Sequence, residues 1–121
     1  MHTERERYFY RGICDRVVDG DTIRARLDLG FGCWKEETIR LYGIDTPEKR
    51  MVAGGTEDLK ALGGLATDFV AQCIPMDGEI FVKTYLDRGK YGRTLGEIYV
   101  EDYEKSINEM LEEERLAVPY W

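Results

Sequence analysis

Two short acidic runs have the residue types and spacing to do chemistry, Asp19-Gly20-Asp21-Thr22 and Asp45-Thr46-Pro47-Glu48. The first has the composition of a tight turn, and in the second Pro47 holds Thr46 extended and fixes the direction of its carbonyl. Taken singly, the first reads better as an ordinary turn, and the second is often just a loop. Brought together, Asp21, Asp45 and Glu48 would crowd one mouth, and like charges a few ångströms apart raise one another's pKa and oppose folding. A cation would relieve that repulsion. Hard oxygen donors with no histidine or cysteine among them suit calcium or magnesium, and the alternating acids of an EF-hand loop are absent. Any ion site must therefore be assembled from separate loops.

Arginines supply the complementary half of the pattern: Arg40, and Arg93 at the end of Lys90-Tyr91-Gly92-Arg93. The commoner fate of a lone strand arginine is a surface ion pair. A pair of guanidiniums is different, because each can bond two phosphate oxygens at once and stays charged at any useful pH. In-line attack on a phosphodiester builds negative charge on its equatorial oxygens, so Arg40, Arg93 and a divalent ion would lower the barrier mainly by electrostatics. Glu48 is then the natural base for the attacking water.

These groups must be held by a scaffold, and the hydrophobic pattern supplies one. Residues 8–18 are rich in aromatic and β-branched types and run into Asp19-Gly20, a two-residue hairpin signal. In the next strand Ile23, Ala25, Leu27 and Leu29 alternate with Thr22, Arg24, Arg26 and Asp28, so one face is buried and Arg24 and Arg26 point outward. Asp21 shares parity with the buried set. A third strand, residues 36–44, follows the Gly30-Phe31-Gly32 turn, and its apolar residues occupy both parities. Between Thr56 and Cys73 the period becomes helical, with Leu59, Leu62, Ala66, Phe69, Val70 and Cys73 on one side, Thr56 as cap and Gly63-Gly64 calling for close packing. Strands at 79–86 and 95–100 follow, and Ser106-Ile107-Asn108-Glu109 is a capping box opening a short final helix. The order predicts an α+β fold: an antiparallel five-stranded Greek-key barrel of the OB type, with one helix between strands three and four and another after strand five.

At 121 residues the chain is expected to form one domain over 1–121, with 43% hydrophobic and 34% charged residues describing an ordinary globular protein. The formal net charge of −7 opposes phosphate binding over the whole surface. Distribution matters more than the sum: acids concentrate between Glu101 and Glu114, where a solvated helix face is expected, whereas Arg24, Arg26, Arg40, Arg88, Lys90 and Arg93 lie in sheet and turns. Three widely spaced cysteines, Cys14, Cys33 and Cys73, suggest free thiols, and the single histidine, His2, rules against a zinc site or a histidine base. With no apolar run long enough to span a membrane and no signal peptide, a cytoplasmic monomer without a membrane partner is expected, a secreted mature form being the alternative.

Taken together, Asp19-Gly20-Asp21-Thr22, Arg40-Leu41-Tyr42-Gly43-Ile44-Asp45-Thr46-Pro47-Glu48 and Lys90-Tyr91-Gly92-Arg93 resemble the three signature segments of staphylococcal nuclease (thermonuclease) domains, in order and separation. Ile107-Asn108-Glu109-Met110-Leu111 with Leu116-Ala117 is similar to the helix that follows strand five in that family. The resemblance implies an OB barrel that binds one calcium ion and hydrolyses DNA and RNA, endo- or exonucleolytically, leaving 3′-phosphates. It implies that Asp21 and Asp45 bind the metal by carboxylate and Thr46 by its carbonyl, that Glu48 is the base, and that Arg40 and Arg93 hold the phosphate under attack. Lys90 and Tyr91 would contact a neighbouring phosphate, and Tyr120 would stack on a base or plug the barrel end. The loop Lys49–Gly55 departs from the lysine-rich loop of the best-known member, and no counterpart of that member's C-terminal helix is expected within residues 1–121. The alternative function is a catalytically weak OB module that only binds nucleic acid or protein.

Overall fold

Alternation along the second strand sets the wall of a barrel. The structure, a computed structural model, describes residues 8–46, 57–88, 93–101 and 104–119. Strand β1 (Phe9–Asp19) pairs antiparallel with β2 (Thr22–Asp28), and β2 with β3 (Trp34–Leu41). Ile23, Ala25 and Leu27 are buried while Arg24 and Arg26 between them are exposed, as the alternation predicts. Strands β5 (Glu79–Arg88) and β6 (Thr94–Tyr99) complete a closed barrel in the order β1-β2-β3-β6-β5. Ile39, Leu41, Ile80, Val82 and Ile98, each at most 1% exposed, fill it together with the β2 residues. The α+β, OB-like barrel expected from the sequence is therefore the fold, with four corrections of detail.

First, the barrel is mixed. β3 and β6 run parallel, with Ile39 opposite Thr94 and Arg40 opposite Leu95. A parallel neighbour needs a long crossover, and the helix and β5 between the two strands provide it. Second, the hairpin loop is Gly20-Asp21, one residue later than the expected Asp19-Gly20, because Asp19 stays in the ladder opposite Thr22. Third, β3 ends at Leu41. Gly43 adopts φ 81°, a left-handed conformation that breaks the ladder, and Ile44–Asp45 (β4) instead pairs with Val118–Pro119 (β7). That turn explains why the apolar residues of 36–44 occupied both parities.

Helix α1 (Glu57–Cys73) packs on β1, and helix α2 (Ile107–Glu113) on β6 and α1. The fourth correction is the buried stripe of α1. Leu62 is exposed, and the helix instead turns Gly63, Ala66 and Val70 inward, with Phe69 and Cys73 flanking. Small residues face the hairpin because the approach is close: a Cβ on Gly20 would lie 2.6 Å from the Ala66 Cβ. Thr56, the expected cap, and Leu59 lie outside the described residues and side chains. Ser106 does cap α2, its hydroxyl accepting from the Glu109 N–H at 3.1 Å, and Glu109, Glu112, Glu113 and Glu114 form an exposed acidic face. All three cysteines are free thiols, and no helix among the described residues is long and apolar enough to cross a membrane.

Candidate active site

Arg40 is the hub of the site because β3 gives it an unusual setting. Ile39 and Leu41 on either side face the core, so Arg40 faces the other way, yet it is only 9% exposed. The chain reversal after Leu41 covers it. Nη1 donates to the carbonyls of Leu41 and Ile44, both at 2.8 Å, tying together the two ends of the Tyr42-Gly43 turn. Nη2 faces two carboxylates, 3.2 Å from Asp45 Oδ1 and 3.6 Å from Asp21 Oδ2.

Asp21 arrives from the β1–β2 loop and is held from three directions. Its Oδ1 accepts from the Thr22 hydroxyl at 3.0 Å, its Oδ2 accepts from the Thr46 N–H at 3.3 Å, and its own carbonyl accepts from the Leu41 N–H at 2.8 Å. These bonds fasten the first acidic run to the second, which are 25 residues apart in sequence. Asp45, on β4, is half exposed and its carboxyl is held above the ordinary range. Burial is the main cause, the Arg40 guanidinium pulls the other way, and the Asp21 carboxylate raises it both as a like charge and as a hydrogen-bond partner. The crowding expected from the sequence is thus present between these two acids.

Thr46 lies beside them, 7% exposed, and its hydroxyl is buried without a hydrogen-bond partner among the described residues. A buried polar atom left in that state costs about 1–3 kcal/mol. It sits 3.0 Å from where a Cβ on Gly20 would stand, so glycine at that position lets the two loops meet. Arg93 stands one residue ahead of β6. Since Leu95 is the register partner of Arg40, Arg93 stands two residues before that partner, at the entry to the strand beside β3. The structure thus brings Asp21, Arg40, Asp45 and Thr46 into contact, with Arg93 just ahead of the adjoining strand. Glu48, Lys90, Tyr91 and Tyr120 lie outside the described residues. Among the described residues no group of three acids, histidines or cysteines converges.

Asn108 carries a role that the sequence did not reveal. Buried to 4%, it donates from Nδ2 to the carbonyls of Tyr42 at 2.9 Å and Gly96 at 3.1 Å, and its Oδ1 accepts from the Ile98 N–H at 3.1 Å. One side chain therefore ties α2, β6 and the turn behind Arg40 together. An asparagine inside a helix-opening segment was the only signal, and nothing in sequence spacing links it to residue 42.

A closed OB-like barrel with two carboxylates bridged by a buried arginine at one rim defines the class of protein. The chain belongs to the staphylococcal nuclease homologue family, whose profile matches residues 38–121. It is 34% identical over 87 residues to an uncharacterized endonuclease of Escherichia coli O157:H7, covering 72% of this chain and 46% of that protein. It is similar to endonuclease YhcR of Bacillus subtilis strain 168, at 35% over 95 residues, covering 76% of this chain and 8% of the relative. Thermonuclease of Staphylococcus hyicus is 29% identical over 102 residues, covering 84% of this chain and 54% of the relative. The chain thus spans about half the length of two of these relatives and a small part of the third.

Proposed function

We propose that this chain is a calcium-dependent nuclease that hydrolyses phosphodiester bonds of DNA or RNA. The observation that carries the reading is the convergence of Asp21 and Asp45 on the Nη2 edge of a buried Arg40. Two converging carboxylates, with that of Asp45 held above its ordinary range mainly by burial, beside a buried threonine hydroxyl without a partner among the described residues, form an all-oxygen donor set that suits a hard divalent cation. Asp21 and Asp45 would hold the ion by carboxylate and Thr46 by its carbonyl. When bound, it supplies Lewis-acid polarisation of the phosphoryl group.

The protein's own residues divide the remaining work. Arg40 is oriented by the Leu41 and Ile44 carbonyls, so its Nη2 edge is preorganised toward the carboxylates and would meet a phosphoryl oxygen there without reorganising. Arg93, just ahead of the neighbouring strand, would take a second equatorial oxygen. Glu48 accepts the proton of the attacking water, the new O–P bond forms, the P–O5′ bond breaks, and the departing 5′-oxygen takes a proton from solvent, to which Glu48 returns the one it accepted. The products are a 3′-phosphate and a 5′-hydroxyl. Lys90 and Tyr91 hold the next phosphate, and Tyr120 lies against a base.

Purified protein is expected to degrade single-stranded DNA with added calcium and to stop in chelator. Arg93→Ala should lower turnover by about 10²–10³-fold and Glu48→Gln by about 10²–10⁴-fold with the fold intact by circular dichroism. Full activity in chelator would remove the metal from the reading. Near-wild-type rates in both variants would leave a binding module.

A further inference from the structure

Away from the Arg40 cluster, the outer face of β1 and β2 carries an arrangement that the barrel itself does not require. Arg16 and Arg24 are register partners across the two antiparallel strands. Like charges directly opposite one another destabilise a sheet, so this pairing calls for an explanation. The cause is a register shift between Cys14 and Arg16. Cys14 pairs with Ala25, and an unbroken ladder would therefore have set Asp15 against Arg24, an attractive pair. The shift leaves Asp15 out of the ladder and brings Arg16 forward instead. Asp15 turns to Arg26, whose Nε and Nη2 donate to its carboxylate at 2.8–3.1 Å and hold the carboxyl below the ordinary range.

The consequence is an anion-seeking surface in a chain of net charge −7. Arg16 is exposed, and its guanidinium makes no hydrogen bond or ion pair with any described residue. Arg24 is held by the Thr38 hydroxyl at 2.6 Å and only loosely by Glu36, at 3.6 Å, whose side chain is 70% exposed. Such a pair is well screened by solvent. Together Asp15, Arg16, Arg24, Ala25, Arg26 and Glu36 line a concavity of about 450 Å³.

Its position relative to Arg40 follows from register. Thr22 is opposite Arg40 and Arg24 opposite Thr38, so Arg24 is one same-face step, about 6.6 Å along β2, from the partner of Arg40. That step is comparable with the separation of successive phosphates in an extended strand. We propose that Arg16 and Arg24, with Arg26 behind them, form a phosphate subsite that takes an internucleotide phosphate of the strand whose scissile phosphate lies at Arg40. The inference rests on the nuclease reading for its substrate and extends it by a second, non-catalytic contact along β2.

The test is the salt dependence of binding, measured by fluorescence anisotropy of a labelled thymidine octanucleotide with calcium, in proteins that all carry Glu48→Gln. Adding Arg16→Ala and Arg24→Ala together should weaken binding about tenfold. It should also reduce the magnitude of the slope of log K against log salt by about 0.7 for each phosphate that is no longer neutralised. Arg11→Ala removes one exposed guanidinium that pairs with Glu79 and Asp28, and should leave the slope unchanged. Arg16→Ala relieves a like-charge pair, so its urea midpoint should equal or exceed that of its parent, excluding unfolding as the cause. An unmoved slope, or an equal weakening in Arg11→Ala, overturns the subsite. A chain with the Glu48 carboxylate intact that shows the expected slope change but leaves the octanucleotide uncut overturns the nuclease reading and keeps the subsite.

Discussion

Arg40 serves the fold and the proposed chemistry with different nitrogens of one guanidinium. Nη1 closes the turn after β3 by bonding two carbonyls, while Nη2 answers the charge of Asp21 and Asp45. An ammonium cannot do both, because it is a point charge without a planar fork. Arg40→Lys should therefore lose about 2 kcal/mol of stability in urea titration without added metal, since one buried carbonyl would go unanswered. It should also be nearly as inactive as Arg40→Ala. A lysine variant with wild-type stability would show that the carbonyl bonds contribute nothing. The permanent charge of Arg40 was legible from its residue type, whereas its burial was not. Alternation places it on the outward face, and only the covering turn, set by Gly43, takes it out of water.

Among the elements, the site depends on two close approaches that hold loops in place. The first joins α1 to the hairpin through Ala66 and Gly20, where any side chain on Gly20 would collide with the helix and with Thr46. The second is the Asn108 staple from α2. Asn108→Ala would leave the Tyr42 carbonyl and the Ile98 N–H without the partner that Asn108 supplies, and the Gly96 carbonyl with the Tyr42 N–H alone. The expected cost is at least about 2 kcal/mol. Because the Tyr42 turn lies behind Arg40, cleavage activity should fall further than the folded fraction does. Activity that merely tracks the folded fraction, measured at several urea concentrations, would limit Asn108 to stability. The sequence showed α2 and its cap clearly, since capping is a matter of three or four neighbouring residues. It could not show what the helix is stapled to.

For the whole molecule, charge sets the terms on which a polyanionic substrate arrives. The net charge of −7 repels it, while arginines on β2, β3 and before β6 offer local attraction. Acids of α2 are exposed. Glu112→Gln with Glu114→Gln should raise kcat/KM for single-stranded DNA about two- to threefold at low ionic strength, an effect of the overall field. The gain should vanish at 1 M salt, where the screening length is about 3 Å. A gain that persists at high salt would mean these acids act locally.

Local periodicity was enough to reveal the five barrel strands, the two helices and the acidic face, because hydrogen-bonded ladders and helical turns impose their repeats on adjacent positions. Tertiary structure alone decided that β3 lies parallel to β6, that Leu62 faces solvent and that the chain turns at Gly43. It also decided that Asp21 reaches the Thr46 N–H and that Arg16 opposes Arg24. Each of these outcomes depends on which distant surfaces share a boundary. That choice is made by burial and steric fit across the barrel, and a repeat read along the chain carries no record of it.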